Sequence, residues 1–163
     1  MSSFDLDRLI VALHEARVDF VIVGGAAAVL HGAPVTTKDL DIVHDRAPAN
    51  VERLLQVLLA LGAYNRADLA NRRLPPTTSA LSGRGHINLQ TTFGQLDVLC
   101  ELDDNRGYLE LVPHSEMIHA GDLQLRVLDL PTLIDVKARA GRPKDRVVLP
   151  VLIATLEEKQ KPR

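Results

Sequence analysis

The chain has 163 residues, of which 46% are hydrophobic and 25% are charged, and its formal net charge is -2 at pH 7. These values are typical of one globular domain, so we predict a single domain over residues 1–163. The near balance of charge excludes the strong positive field of a dedicated nucleic-acid-binding domain. With two tyrosines, three phenylalanines and no tryptophan, the chain also lacks a platform for stacking single-stranded bases.

The segment "MSSFDLDRLI" lacks the basic start and the long apolar run of a signal peptide. No apolar run approaches the roughly 20 residues that a membrane-spanning helix needs. The single cysteine, Cys100, excludes an internal disulfide, and we interpret it as a small buried hydrophobic residue. We therefore expect a cytoplasmic protein with no membrane partner.

Apolar periodicity predicts alternating helices and strands in the first part of the chain. In chain order we predict a helix over 4–17 capped by Ser3 or Asp5, a strand in "VDFVIVGG", a short helix from Ala26 to about His31, a strand in "KDLDIVHD", and a helix from about Val51 to Leu61. Residues 65–85 contain two prolines and two glycines. We interpret them as a long excursion near an active face or as a mobile loop.

The second part of the chain predicts two strand pairs followed by helices. The clearest signal is a hairpin in "HINLQTTFGQLDVLCEL", with its turn at residues 92–94. A further pair of short strands is expected around Gly121. Proline near the first turn then marks two helices, Pro131 to Ala140 and Pro143 to about Glu158.

Two acids alternate with apolar residues in the strand "KDLDIVHD". Asp39 and Asp41 therefore lie on one face, about 6.6 Å apart, while Leu40 points into the core. They either solvate an outer face or share a cation. Asp97 in the hairpin adds a third carboxylate if its strand lies beside theirs. Because three converging carboxylates are costly without a cation, the arrangement favours a hard metal, with Mg²⁺ the default.

Gly24 and Gly25 end a predicted strand at the start of a helix. Glycine permits close backbone approach to a ligand, and the first turn of a helix offers N–H groups to a phosphate. The alternative interpretation is a tight strand-to-helix turn with no ligand.

In order along the chain come a strand, Gly-Gly, a short helix, His-Gly, Thr-Lys-Asp-x-Asp and a later strand aspartate. This order resembles the nucleotidyltransferase fold of the DNA polymerase β superfamily. The segment "LPTLIDVKARAGRPKDRVVLPVL" is similar, more narrowly, to small bacterial nucleotidyltransferase-like proteins related to AbiEii-type toxins. The resemblance covers about residues 20–155 and implies an α+β fold, with a mixed β-sheet packed by helices and with C-terminal helices.

The resemblance also implies roles for individual residues. Gly24 and Gly25 would hold nucleotide phosphates, Asp39 and Asp41 would bind metals, and Asp97 would complete a second metal site and help to activate the attacking hydroxyl. Lys137 would meet phosphate charge, and Lys144 with Asp145 would close the motif. The nucleotide-binding set is completed by Thr37 and Lys38, which precede the metal-binding strand.

Several of these residues keep a simpler interpretation. Lys38 either touches phosphate or is a surface lysine. His31 either reaches the ligand or, as a residue at a helix end, bonds a carbonyl group. Arg84 and His86 border the excursion, and the sequence does not place them.

The leading hypothesis is a Mg²⁺-dependent nucleotidyltransferase that moves a nucleoside monophosphate from an NTP to a hydroxyl of an unidentified acceptor, which is RNA, protein or a small molecule. The resemblance implies in-line transfer with two metals. The alternatives are a non-catalytic nucleotide- or partner-binding module, as in a toxin–antitoxin pair, and an inactive relative. A homodimer would add acceptor-binding surface to so short a chain.

Overall fold

The computed structural model describes residues 4–162, so the cap residue Ser3 lies outside the described residues. The helices are α1 (Leu6–Glu15), α2 (Gly24–Leu30), α3 (Pro48–Ala60), α4 (Thr78–Leu81), α5 (Tyr108–Leu111), α6 (Leu130–Ala140) and α7 (Pro143–Gln160), with a 3₁₀ turn at Val112–His114. The strands are β1 (Phe20–Val23), β2 (Asp39–His44), β3 (Tyr64–Asn65), β4 (His86–Thr91), β5 (Gly94–Leu99), β6 (Ser115–Ala120) and β7 (Leu123–Leu128).

All of these strands join one mixed sheet in the order β3-β4-β5-β2-β1-β7-β6. β1 is antiparallel to β2 and parallel to β7, and β2 is parallel to β5. Every residue of β1 is buried, as expected of a short β-branched strand at the centre of a sheet. The helices pack against this sheet, so the predicted α+β architecture is confirmed.

β2 lies between β1 and β5 and carries its side chains in strict alternation. Leu40 and Ile42 have no exposed surface, whereas Asp39 and Asp41 are half-buried on the opposite face. The predicted orientation of this strand is therefore confirmed. β5 shows the same alternation, because Leu96 and Val98 are also fully buried.

Both predicted strand pairs are confirmed. β4 and β5 form the expected hairpin around residues 92–93, and β6 pairs with β7 around Gly121. The two C-terminal helices are also present. They begin at Leu130 and Pro143, with Asp129 capping the first by accepting a hydrogen bond from the Thr132 N–H at 2.8 Å.

Several boundaries differ from the prediction. α1 begins at Leu6 because Asp5 is its cap and accepts a hydrogen bond from the Arg8 N–H at 3.1 Å. α3 begins at Pro48, since proline suits the first helical turn. α2 begins at Gly24 instead of Ala26, so the glycine pair forms its first turn. The excursion over 65–85 contains the end of β3 and the whole of α4, neither of which was predicted.

The last helix, α7, is weakly buried along its length. It packs mainly against α6, and only Asp145 and Leu152 are buried. Within residues 4–162, no helix combines the length and the apolar character required to span a bilayer.

Candidate active site

Three carboxylates meet on one face of the sheet. Asp39 and Asp41 lie on β2, and Asp97 lies on β5 directly beside Asp41 in the parallel register. One carboxylate oxygen from each residue lies within 4.8 Å of the other two. The predicted convergence is therefore confirmed, and we refer to Asp39, Asp41 and Asp97 below as the acidic cluster.

The cluster holds an excess of negative charge. Burial, reinforced by the charges of Asp39 and Asp97, raises the pKa of Asp41 to about 7. Burial and the Asp97 charge also raise the pKa of Asp39. The ammonium of Lys137 opposes the increase at Asp41, and the guanidinium of Arg66 opposes it at Asp39. A set of close oxygen donors whose negative charge is only partly offset fits a hard divalent cation such as Mg²⁺.

Arg66 contacts the cluster from the excursion and was not identified in the sequence. Its Nη1 lies 2.6 Å from Asp97 Oδ1. The same nitrogen donates a hydrogen bond to the Leu89 carbonyl at 2.9 Å, whereas Asp97 Oδ1 is buried and accepts no hydrogen bond from the described residues. The contact between Arg66 and Asp97 is therefore an ion pair in geometry. The one signal in the sequence was the position of Arg66 in residues 65–85, which were interpreted as an excursion near an active face or as a mobile loop.

The glycine pair packs directly against the cluster and its flanking loop. Gly24 has a φ of +65°, and a Cβ atom placed there would overlap the Asp41 carboxylate. A Cβ at Gly25 would lie 2.9 Å from Thr37 Oγ1. Both positions therefore need glycine for close approach, which agrees with the tight-turn interpretation. A role in holding phosphate stays a prediction.

Thr37 and Lys38 precede β2 and differ in their contacts. The Thr37 hydroxyl donates a hydrogen bond to the Asp39 carbonyl at 2.8 Å, which fixes the backbone at the start of the strand. The side chain of Lys38 is exposed at the rim of the cavity described below. Thr37 therefore supports the cluster, and Lys38 is available to a ligand.

Asp145 anchors the basic residues opposite the cluster. It is 1% exposed, and its Oδ2 accepts a hydrogen bond from Arg142 Nε at 2.7 Å. Lys137 Nζ lies 3.6 Å from Asp145 Oδ1. Burial of Asp145 would raise its pKa, but the hydrogen bond and charge of Arg142 outweigh burial and lower it. Asp145 is thus a charged partner that holds Lys137 and Arg142, while the neighbouring Lys144 is exposed.

These groups line one open cavity of about 820 Å³. Its lining includes the acidic cluster, both glycines, Thr37, Lys38, Lys137, Arg142, Lys144 and Asp145. The cavity lining also includes His86, Asn88 and Asp103. Of these three residues, Asn88 and Asp103 were not identified as site candidates in the sequence. The cavity therefore combines the acidic cluster with four basic side chains, called the basic wall below: Lys38, Lys137, Arg142 and Lys144.

Three other candidates take structural roles. His31 is 4% exposed, and its Nε2 donates to the Leu128 carbonyl at 2.7 Å, which confirms the carbonyl-bonding interpretation. Arg84 lies outside the cavity lining and pairs with Glu101 at 3.1 Å. Cys100 is fully buried, and burial raises the pKa of its thiol, so it behaves as the predicted small core residue.

No protein-family model matches the chain, and no curated protein matches its sequence. Solved structures do match. The lincosamide antibiotic adenylyltransferase LnuA, solved with lincomycin bound, has a TM-score of 0.65 at 11% identity, over 94% of this chain and 99% of LnuA. ANT(2'')-Ia, solved in complex with adenylyl-2''-tobramycin, has a TM-score of 0.59 at 15% identity, over 94% of this chain and 89% of that one.

TM1012 from Thermotoga maritima, an inferred nucleotidyltransferase, has a TM-score of 0.55 at 14% identity. The alignment covers 93% of this chain and 96% of TM1012. At these identities the likeness concerns the fold. The mixed sheet and its helices therefore form a nucleotidyltransferase fold.

Proposed function

We propose that this chain is a Mg²⁺-dependent nucleotidyltransferase that moves a nucleoside monophosphate from an NTP to a hydroxyl group of an acceptor. The observation that carries the proposal is the acidic cluster, whose oxygens lie within 4.8 Å of one another in a cavity that also contains Lys137. The fold likeness to adenylyltransferases supports the same reaction class.

Asp39, Asp41 and Asp97 would hold the cation through their carboxylate oxygens. Bound Mg²⁺ would supply positive charge for the triphosphate and lower the pKa of the acceptor hydroxyl, with a second ion where two are bound. The Asp97 carboxylate accepts the hydroxyl proton as the acceptor oxygen bonds to the α-phosphorus and pyrophosphate leaves. Thr37 keeps Asp39 in place through its hydrogen bond to the Asp39 carbonyl.

The basic wall suits the triphosphate. Lys137 is 16% exposed and is held between Asp41 and Asp145, so its ammonium is positioned before the nucleotide arrives. Lys38 and Lys144 are exposed and line the same cavity, so their ammonium groups are accessible to a phosphate chain. The glycines of the first turn of α2 let its backbone pack against Asp41 and Thr37, and the first-turn N–H groups of a helix suit a phosphate.

The acceptor is the open part of the proposal. Lincomycin and tobramycin, named with two of the structural neighbours, support a hydroxylated small molecule. The similarity of the C-terminal segment to AbiEii-type relatives supports a macromolecule and a toxin–antitoxin setting instead. A homodimer would enlarge the acceptor surface, and light scattering of the purified chain tests it.

The test is incubation with each α-labelled NTP and Mg²⁺ in the presence of lincomycin, tobramycin, RNA or a cell extract. We expect transfer of label to one acceptor class with stoichiometric pyrophosphate release. Asp41→Asn and Asp97→Asn should lose at least about 1,000-fold in rate, while Asp122→Asn, an equal charge change in the exposed turn between β6 and β7, should not. Transfer that survives in both cluster variants contradicts the mechanism. NTP binding without pyrophosphate release would favour the non-catalytic module.

A further inference from the structure

Arg66 is the cation that contacts the acidic cluster most closely among the described residues. Its Nη1 lies 2.6 Å from Asp97 Oδ1, in a contact that is 25% exposed on the arginine side and 13% on the aspartate side. Surface ion pairs of long side chains contribute little and exchange readily with water. This pair is largely enclosed, so water does not replace it easily.

β4 holds both the backbone and the guanidinium of Arg66. The Arg66 backbone N–H donates to the Asn88 carbonyl at 3.0 Å, and Arg66 Nη1 donates to the Leu89 carbonyl at 2.9 Å. Both acceptors lie on β4, the strand next to β5. The side chain therefore does not approach Asp97 by chance rotation, because the sheet itself directs it there.

We propose that Arg66 is the resident counter-cation of the acidic cluster, and that it sets how tightly the cluster binds a divalent cation. The inference rests on the cation-binding part of the proposed function. Arg66 neutralises Asp97 while the cluster holds no metal ion. A divalent cation must then share Asp97 with the guanidinium or displace it.

Charge explains the direction of the effect. The guanidinium occupies one side of a ligand oxygen and carries a charge of the same sign as the incoming cation. At the effective dielectric constant of a partly buried site, a neighbouring unit charge changes the binding constant of a dication by at least about tenfold. Arg66 thus weakens cation binding, although it stabilises the protein when no metal ion is bound.

This effect is measured by titrating the whole chain with Mn²⁺ alone at pH 8, with free Mn²⁺ followed by electron paramagnetic resonance. The variants are Arg66→Gln, which is neutral and keeps a donor for the Leu89 carbonyl, and Arg66→Met, which keeps the apolar stem. Arg72→Ala is the matched control, because it removes the same charge from the same excursion at an arginine that is 63% exposed and pairs with Asp68, outside the acidic cluster. Circular dichroism confirms that each variant is folded.

We expect Mn²⁺ to bind at least about tenfold more tightly to Arg66→Gln or Arg66→Met than to the unaltered chain, and equally to Arg72→Ala. We also expect both Arg66 variants to have a lower Tm than the unaltered chain in EDTA, and saturating Mn²⁺ to raise the Tm of the variants by more than it raises that of the unaltered chain. Unchanged or weaker Mn²⁺ binding in a folded Arg66 variant overturns the inference. If the unaltered chain binds no Mn²⁺, the cation-dependent function itself is wrong, so the two failures are distinguishable.

Discussion

Replacing Asp41 with asparagine should stabilise the metal-free protein at alkaline pH. The folded chain raises the pKa of Asp41 from an ordinary value of 3.8 to about 7, chiefly by burial and then by the charges of Asp39 and Asp97. Each tenfold change in proton affinity corresponds to about 1.4 kcal/mol, so ionised Asp41 costs about 4 kcal/mol of folding free energy. Because the neighbouring carboxylates share part of this effect, we expect Asp41→Asn to gain about 2–4 kcal/mol at pH 8.

The sign depends on pH. The folded chain binds a proton at Asp41 more tightly than the unfolded chain does, so the contribution of Asp41 to the free energy of unfolding falls as pH rises from about 4 to about 7. An asparagine does not titrate, and its advantage therefore grows over this interval and levels off above pH 7. Near pH 4 the unaltered protein and Asp41→Asn should have nearly equal stability.

The assay is urea denaturation in EDTA at pH 4.5, 6 and 8, with Asp122→Asn as an equal charge change at an exposed position. For a chain of this length, a gain of 2–4 kcal/mol at pH 8 corresponds to a rise in Tm of roughly 5–12 °C. Saturating Mg²⁺ should reverse the order, since only the unaltered chain keeps all three carboxylates. An Asp41→Asn protein that is no more stable than Asp122→Asn at pH 8, or equally stabilised at every pH, refutes the electrostatic reasoning.

Three further variants probe the walls of the cavity. Gly24→Ala should lower the free energy of unfolding by about 2 kcal/mol more than Gly62→Ala, as measured by urea denaturation. Both glycines have nearly the same positive φ, but only a Cβ at Gly24 would overlap a side chain, that of Asp41. Lys137→Met should raise the KM for NTP by about tenfold, as measured by pyrophosphate release, because it removes a largely buried cation from the proposed triphosphate site. Asp145→Asn should destabilise the protein by about 1–3 kcal/mol at pH 7. The loss should shrink as pH falls below 3.8, since the lowered pKa of Asp145 contributes stability above that value.

Each of these variants has a control with the same backbone conformation, in the same helix or in the adjacent helix. Arg139→Met removes an exposed cation from the helix that carries Lys137 and should leave the KM unchanged. Asp135→Asn breaks an exposed pair on that helix and should cost less than about 0.5 kcal/mol. An equal loss of stability in Gly24→Ala and Gly62→Ala would contradict the contacts described for the site. So would an effect of Lys137→Met or Asp145→Asn no larger than that of its control.

The acidic cluster was predictable because it depends on local patterns. Alternation places Asp39 and Asp41 on one face of β2, and the hairpin signal places Asp97 on a strand. Neither pattern determines that β5 lies beside β2, and the parallel register between Asp41 and Asp97 meets this condition. The similarity of the C-terminal segment drew attention to Lys137 and to Asp145 separately, but the ion pair between them was not predicted.

Arg66 could not be predicted by the same means. It follows a two-residue strand, and its direction depends on hydrogen bonds to Asn88 and Leu89, which lie in a different part of the sequence. Gly24 was expected to precede a helix, and yet it belongs to the first turn of α2. The Asp41 side chain leaves no space for a Cβ atom at this position, and helix propensity does not reveal that contact. In both cases a tertiary contact decides what local preference leaves open.

The parallel pairing of β2 with β5 unites carboxylates from distant parts of the chain. In the unfolded ensemble Asp97 is remote from Asp39 and Asp41, so the three carboxylates form no joint site for a cation. Any ion that binds the cluster therefore binds the folded state alone, and its binding free energy adds to the free energy of unfolding. A cation at 100 times its Kd would add about 2.7 kcal/mol. The ionic composition of the surroundings thus becomes a thermodynamic variable of folding, linked to the cavity in which nucleotide chemistry is proposed.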